Sequence, residues 1–180
     1  FTHTLFFPLI FLILGVFSIM ILKGYLAYLH YEKGLIYEKK INYTKAIEEH
    51  KKAVALDSTN SSYFKALGHL YAIRAKFDPL KYKKPAIDNY NKAIALNPYD
   101  AWMRIDLAAI YTSWGEDNLA LSEFKKVTEL DPNNAFFHNL FGIFYLEIMN
   151  DKKQATLEFK KTLSINPGDE TAGSFLGRLE

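Results

Sequence analysis

Residues 135–169 read AFFHNLFGIFYLEIMNDKKQATLEFKKTLSINPGD, and this stretch decides the fold. It carries Phe141-Gly142, then Tyr145, Ala155, Phe159 and Pro167. The same marks recur upstream. Tyr37, Tyr71, Tyr111 and Tyr145 are spaced 34, 40 and 34 residues apart. Ala46, Ala86, Ala120 and Ala155 follow at intervals of 40, 34 and 35. Two interleaved markers with a period near 34 mean paired helices stacked into a solenoid.

The rest of each unit fits that reading. Gly34, Gly68, Ala108 and Gly142 sit three residues before the tyrosines, behind Lys33, Leu67, Leu107 and Phe141. His50, Tyr90, Phe124 and Phe159 lie four residues after the alanines. Ser58, Pro98, Pro132 and Pro167 lie twelve after them. A small residue on the first helix lets the second approach, and the rings pack between. Proline stops the second helix, because it lacks an N–H and disfavours helical geometry in the residue before it. The strings LDSTN, LNPYD, LDPNN and INPGD supply Asp and Asn to cap the next helix.

This pattern resembles the tetratricopeptide repeat. The resemblance implies a right-handed α-solenoid of about four helix pairs plus a terminal helix; with the one transmembrane helix read from the uncharged run Leu5–Leu22, the expected fold is all-α. Residues 1–26 form the membrane and juxtamembrane segment. Residues 27–180 form the solenoid, with repeats at about 27–60, 61–100, 101–134 and 135–169 and a capping helix at 170–180. Three departures stand out. The first repeat has Lys33, His50 and Ser58 at positions that are normally apolar or proline, which reads as a polar end cap. The second carries six extra residues between its helices, in RAKFDPLKYKKPAID. The fourth has one extra residue near Asp151 and Lys152.

Leu5 to Leu22 contains no charged residue, and the run is about long enough to cross a bilayer core. Lys23 follows, and Tyr25, Tyr28 and Tyr31 supply an aromatic belt. A cleaved signal peptide would carry a basic region ahead of the run and a small-residue cleavage pattern after it. Few residues separate Leu22 from the first repeat, so the membrane helix is expected to run into or abut the first repeat helix, with Gly24 as a kink point. Phe1 is not a natural start, so the chain reads as a fragment.

Net charge is +2, which gives no nucleic-acid footprint. With no cysteine there are no disulfides or thiolate metal sites. His3, His30, His50, His69 and His138 lack ligand spacing, so no metal is expected. No phosphate loop or nucleophile elbow occurs. No catalytic residue and no cofactor are expected.

Two surfaces remain as candidate sites. The first is the concave face, built from the first helix of each repeat. Its members are Tyr28, Tyr31, Lys65, His69, Trp102, Asp106, Phe136, Asn139 and Ile143, a mixed aromatic and polar set suited to a protein or peptide segment. The positions of a chaperone-type carboxylate clamp hold Tyr31, Leu35, Ala66, Trp102 and Asp106 instead, which disfavours an acidic C-terminal tail. Trp102 and Phe136 read equally as packing between neighbouring repeats. The second is the insertion, where Lys76, Lys81, Lys83 and Lys84 offer contact to anionic lipid or another polyanion.

The function expected is a membrane-anchored scaffold that holds protein partners beside the bilayer, as an accessory subunit of a membrane complex. A second reading belongs to another class. The last hydrophobic span, Tyr31–Leu35, the expanded second repeat and AIALNPYDAW resemble the C-terminal end of O-antigen ligase/polymerase family membrane proteins. That resemblance implies a glycan-transferring parent whose catalytic part precedes this chain. Lys23, Lys33, Lys39 and Lys40 follow the span, which by the positive-inside rule puts the repeats in the cytoplasm. The glycan-family resemblance puts them outside, the side toward which the reading leans.

Overall fold

The computed structural model describes residues 6–179, with side chains from Ile10 onward. Leu5 of the expected span, His3 and Glu180 lie outside the described residues. Among the described residues there are nine helices and no strand. They are α1 (Phe6–Lys39), α2 (Tyr43–Leu56), α3 (Ser61–Ala75), α4 (Pro79–Leu96), α5 (Ala101–Ser113), α6 (Asp117–Leu130), α7 (Ala135–Glu147), α8 (Lys152–Ile165) and α9 (Glu170–Leu179). The all-helical, solenoid-type expectation holds. The chain forms two compact units, Phe1–Asn97 and Pro98–Glu180.

The turns set the helix starts. Asn60 caps α3 through Ser62 N, Asp100 caps α5 through Trp102 N and Met103 N, and Asn134 caps α7 through Phe137 N. Asp169 accepts from Ala172 N at the start of α9. Each is the last residue of a turn string read from the sequence. Such a cap satisfies an orphan donor and stabilises by about 1 kcal/mol.

Within each pair the ring of the second helix fills the space a small residue leaves on the first. A Cβ at Gly68 would fall 2.6 Å from the Tyr90 ring, and one at Gly142 2.6 Å from the Phe159 ring. At Gly34 the neighbour is His50, whose ring is fully buried. The polar first repeat is therefore no solvated cap at this position; its histidine sits in the core slot.

Both spacing irregularities have a structural account. The six extra residues lengthen helices rather than forming a loop. At 15 residues α3 exceeds α5 by two, and at 18 residues α4 exceeds α6 by four. Only Lys76, Phe77 and Asp78 connect α3 to α4. Pro79 starts α4, where its missing N–H costs nothing. In the fourth pair the extra residue lengthens the turn at 148–151, where Asn150 takes a φ of 52°.

Helix α1 runs unbroken through Gly24, so apolar stretch and first repeat helix are one rod of 34 residues. Ala27 is fully buried between α1 and α2, packed with Ala53 and Tyr63. Before it, large apolar side chains from Phe11 to Leu22 are exposed. Only 6% of the most apolar window of this helix is buried, unlike a core helix.

Candidate functional site

In the unit Phe1–Asn97, Tyr31 packs into the helix contact. Its ring lies 5.0 Å from Tyr63 and 5.3 Å from His50. Tyr28 is half-exposed, His69 is exposed and Lys65 is partly buried. Tyr28 and Tyr31 thus have different surroundings: one ring is open, the other is mostly occupied by protein.

In the unit Pro98–Glu180, the structure brings Trp102 of α5 together with Phe136 and Phe137 of α7. The Trp102 ring is 5.4 Å from Phe136 and meets Phe137 edge-on at 5.1 Å. Phe137 is 2% exposed and packs with Ala101 and Val127. Trp102 and Phe136 remain 52% and 50% exposed. The two rings therefore rest on the core through Phe137 and show their other halves to solvent. Phe136 and Trp102 occupy the second position of their helices, which explains why they meet. Further along α7, Asn139 donates to Asp169 Oδ1 at 3.2 Å, and Ile143 is partly buried, as is Asp106 on α5.

Beside Trp102 lies an open pocket of about 280 Å³. Tyr99, Asp100, Trp102, Asp131, Asn134 and Phe137 contribute to its wall. The sequence reading missed Tyr99, Asp100 and Asp131, because they sit in turns that were read only as caps. The 83% exposure of the Tyr99 ring is a tertiary property.

A second arrangement was also missed. Glu49, three residues after Ala46, is buried and receives His30 Nδ1 at 2.7 Å, Lys52 Nζ at 2.8 Å and Lys33 Nζ at 3.3 Å. Glu123, three after Ala120, receives Arg104 at 2.9 Å and Lys126 at 2.7 Å. Glu158, three after Ala155, meets His138 Nδ1 at 2.7 Å. The basic partner on the first helix lies seven residues before the tyrosine each time. The second repeat has Phe64 and Asn89 at those positions. Burial alone would push Glu49 up, but the bonds from Lys52, His30 and Lys33 overcome it and bring it down to about 2. The spacing alone would have found this ladder, since Glu49, Glu123 and Glu158 keep the alanine beat. The contacts from His30, Lys33, Arg104 and His138 join the two helices of a pair, and their regular recurrence marks them as scaffold rather than chemistry.

The lysines of the insertion fall at the α3–α4 connection. Lys76 caps the end of α3, while Lys81, Lys83 and Lys84 lie in the first two turns of α4. Lys84 pairs with Asp88 at 2.9 Å. Arg74 donates to Tyr82 Oη at 3.2 Å and holds that hydroxyl below its ordinary range. Phe77 and Leu80 are 84% and 100% exposed. Arg74 also reaches Thr44 at 3.5 Å, so this connection lies at the C-terminal end of α1. At 1.5 Å per residue, Leu22 and Lys39 are about 25 Å apart along that helix. A bilayer crossed by the apolar half of α1 would lie that far from the basic cluster, which argues against lipid contact by these lysines.

Among the described residues no three His, Asp or Glu side chains come together as a metal site. Residues 27–60 and 103–134 match the tetratricopeptide repeat family. Those two stretches are tetratricopeptide repeats. A comparison with curated proteins found no match. Among solved structures, MamA is 28% identical, with 78% of this chain and 73% of that one covered at a TM-score of 0.64. YrrB, described as a TPR protein with an unusual peptide-binding site, is 26% identical, with 84% and 74% covered at 0.62. A tetratricopeptide repeat protein from Parabacteroides merdae reaches 0.70 at 22% identity, with 87% and 60% covered, and supports the fold alone.

Proposed function

We propose that this chain is a membrane-anchored tetratricopeptide scaffold that captures a protein or peptide segment beside the bilayer. The observation that carries the reading is the half-exposed Trp102–Phe136 pair standing on Phe137. Large rings held rigid by the core and open on one side are what binding hot spots are made of. The repeats supply the precedent, since YrrB is described as binding peptide and shares 26% of its sequence with this chain. In this reading Asp106, Asn139 and Ile143 are further contacts within the unit Pro98–Glu180; within the unit Phe1–Asn97, taken by itself, Tyr28, Lys65 and His69 are candidate contacts, with Tyr31 supporting them from within the α1–α2 contact.

The anchor is residues 5–22, joined without a flexible tether to repeats at 27–60, 61–100, 101–134 and 135–169. A rigid α1 supports this, because one rod holds the first repeat at a fixed distance from the apolar stretch. The exposed apolar side chains from Phe11 to Leu22 support it too. As a membrane-bound holder, the chain fits an accessory subunit of a membrane complex. We place the repeats on the extracytoplasmic side, on the glycan-family resemblance and against the count of Lys23, Lys33, Lys39 and Lys40 after the span. The glycan-transferring parent rests on sequence resemblance alone, and the scaffold is preferred.

Two experiments test the proposal. After alkaline carbonate washing, the full chain should stay with the membrane pellet; release into the supernatant would remove the anchor. A photo-crosslinking amino acid in place of Phe136 should trap a discrete partner in intact cells, and Trp102→Ala should abolish the adduct. An adduct unchanged by Trp102→Ala would refute the capture surface. Protease digestion of intact against lysed cells decides the side.

A further inference from the structure

We propose that the pocket beside Trp102 selects a cationic side chain, Lys or Arg, in the captured segment; this rests on the scaffold reading above. The pocket is about 280 Å³, just under the range of small-molecule and cofactor sites, which starts near 300 Å³. It suits one long side chain. Its walls include two open aromatic rings, Tyr99 and Trp102, and two carboxylates, Asp100 and Asp131. Among the described residues no Lys, Arg or His lines it.

The chemistry points one way. An aliphatic stem packs on the Trp102 face, and the charged head meets both ring quadrupoles and carboxylates. Asp100 Oδ1 accepts from Trp102 N and Met103 N, and Asp131 Oδ2 accepts from Asn134 Nδ2. Each carboxylate keeps its other oxygen for a further donor. The α5 N-terminus brings about half a positive charge, which opposes a cation. Asp100 caps that terminus with a full negative charge, and Asp131 adds another, so the net field favours the cation. An acidic segment would face two carboxylates with no base among the lining residues.

The test uses the full chain in lipid nanodiscs and a phage-displayed library of random peptides. The inference expects enriched peptides to share a Lys or Arg at one position. Binding of the enriched peptide should fall at least fivefold in Asp100→Asn with Asp131→Asn, and should weaken as salt rises. Asn caps a helix as well as Asp does, so this variant removes charge and leaves the helix start intact. Should it misfold, the salt titration of the unaltered chain still decides. Peptides lost with Trp102→Ala that show no fixed basic position, or an acidic one, overturn the inference and leave the capture surface standing. Unchanged affinity in a folded Asn variant, or insensitivity to salt, does the same. Enrichment that is indifferent to Trp102→Ala, or no enrichment at all, overturns both.

Discussion

The pairs α1–α2 and α7–α8 share one plan and fill it with different chemistry. In α7–α8 the slot opposite Gly142 holds Phe159, fully buried and stacked at 4.9 Å on Phe175 of α9. In α1–α2 the slot opposite Gly34 holds His50, equally buried, with Nε2 at 2.6 Å from Glu38. The turns differ too. Asn150 adopts the left-handed φ in the fourth pair and Gly115 in the third, whereas Ile41 does so in the first, at 58°. The difference teaches that the slot requires a flat ring of about the right size, not an apolar one. A polar ring is admitted where a carboxylate receives it.

The largest test of this contrast is Phe159→Ala. It removes a ring from a fully packed slot and should cost about 3–5 kcal/mol in denaturant unfolding of the full chain. A loss below about 1 kcal/mol would show that α8 is not held by that ring. The next effect depends on pH. Glu49 titrates near 2 in the folded chain and near 4.5 otherwise. Its lowered value means that its ion pairs stabilise fully above about pH 4.5 and fade as pH falls toward 2. The stability gap between wild type and Glu49→Gln should be on the order of 2 kcal/mol at neutral pH and should close across that window. A gap constant with pH would contradict the network.

His50→Phe should cost about 1–2 kcal/mol, because it leaves Glu38 without its partner. Adding Glu38→Leu should recover most of the loss, since an apolar pair replaces a hydrogen-bonded one. Failure of the second change to rescue the first would mean that His50 is retained for its shape. The smallest effect is Ile41→Gly. A β-branched residue at positive φ is strained by about 1–2 kcal/mol. Part of that gain is offset by the freedom glycine has when unfolded, so a net stabilisation of about 0.5–1 kcal/mol should appear as a higher Tm. Destabilisation would show that the Ile41 side chain holds the turn.

The fold was legible because its markers are local. Gly142, Tyr145, Ala155 and Phe159 mark one helix crossing, and its recurrence needs only counting. Asn60, Asp100, Asn134 and Asp169 were legible as caps for the same reason. The insertion was legible as a length but not as a form. Pro79 and Asp78 look like loop residues, yet together they start a longer α4. The polarity of His50 was misleading, since its partner Glu38 is twelve residues away and pairs across a turn. The rings of the candidate site were legible as positions, and only tertiary contact shows that Trp102 is both packed and open. The pocket beside it was invisible, because Tyr99 and Asp131 belong to different turns brought together by packing.

The most direct test of the central claim pairs two readings on one variant, Trp102→Ala. Its peptide or partner capture and its melting temperature should be measured side by side on the full chain in nanodiscs. The account predicts at least a tenfold loss of capture, with Tm within about 4 °C of wild type, as expected for a ring half in solvent. Capture retained, with Tm lowered well beyond that, would make Trp102 a packing residue and contradict the account.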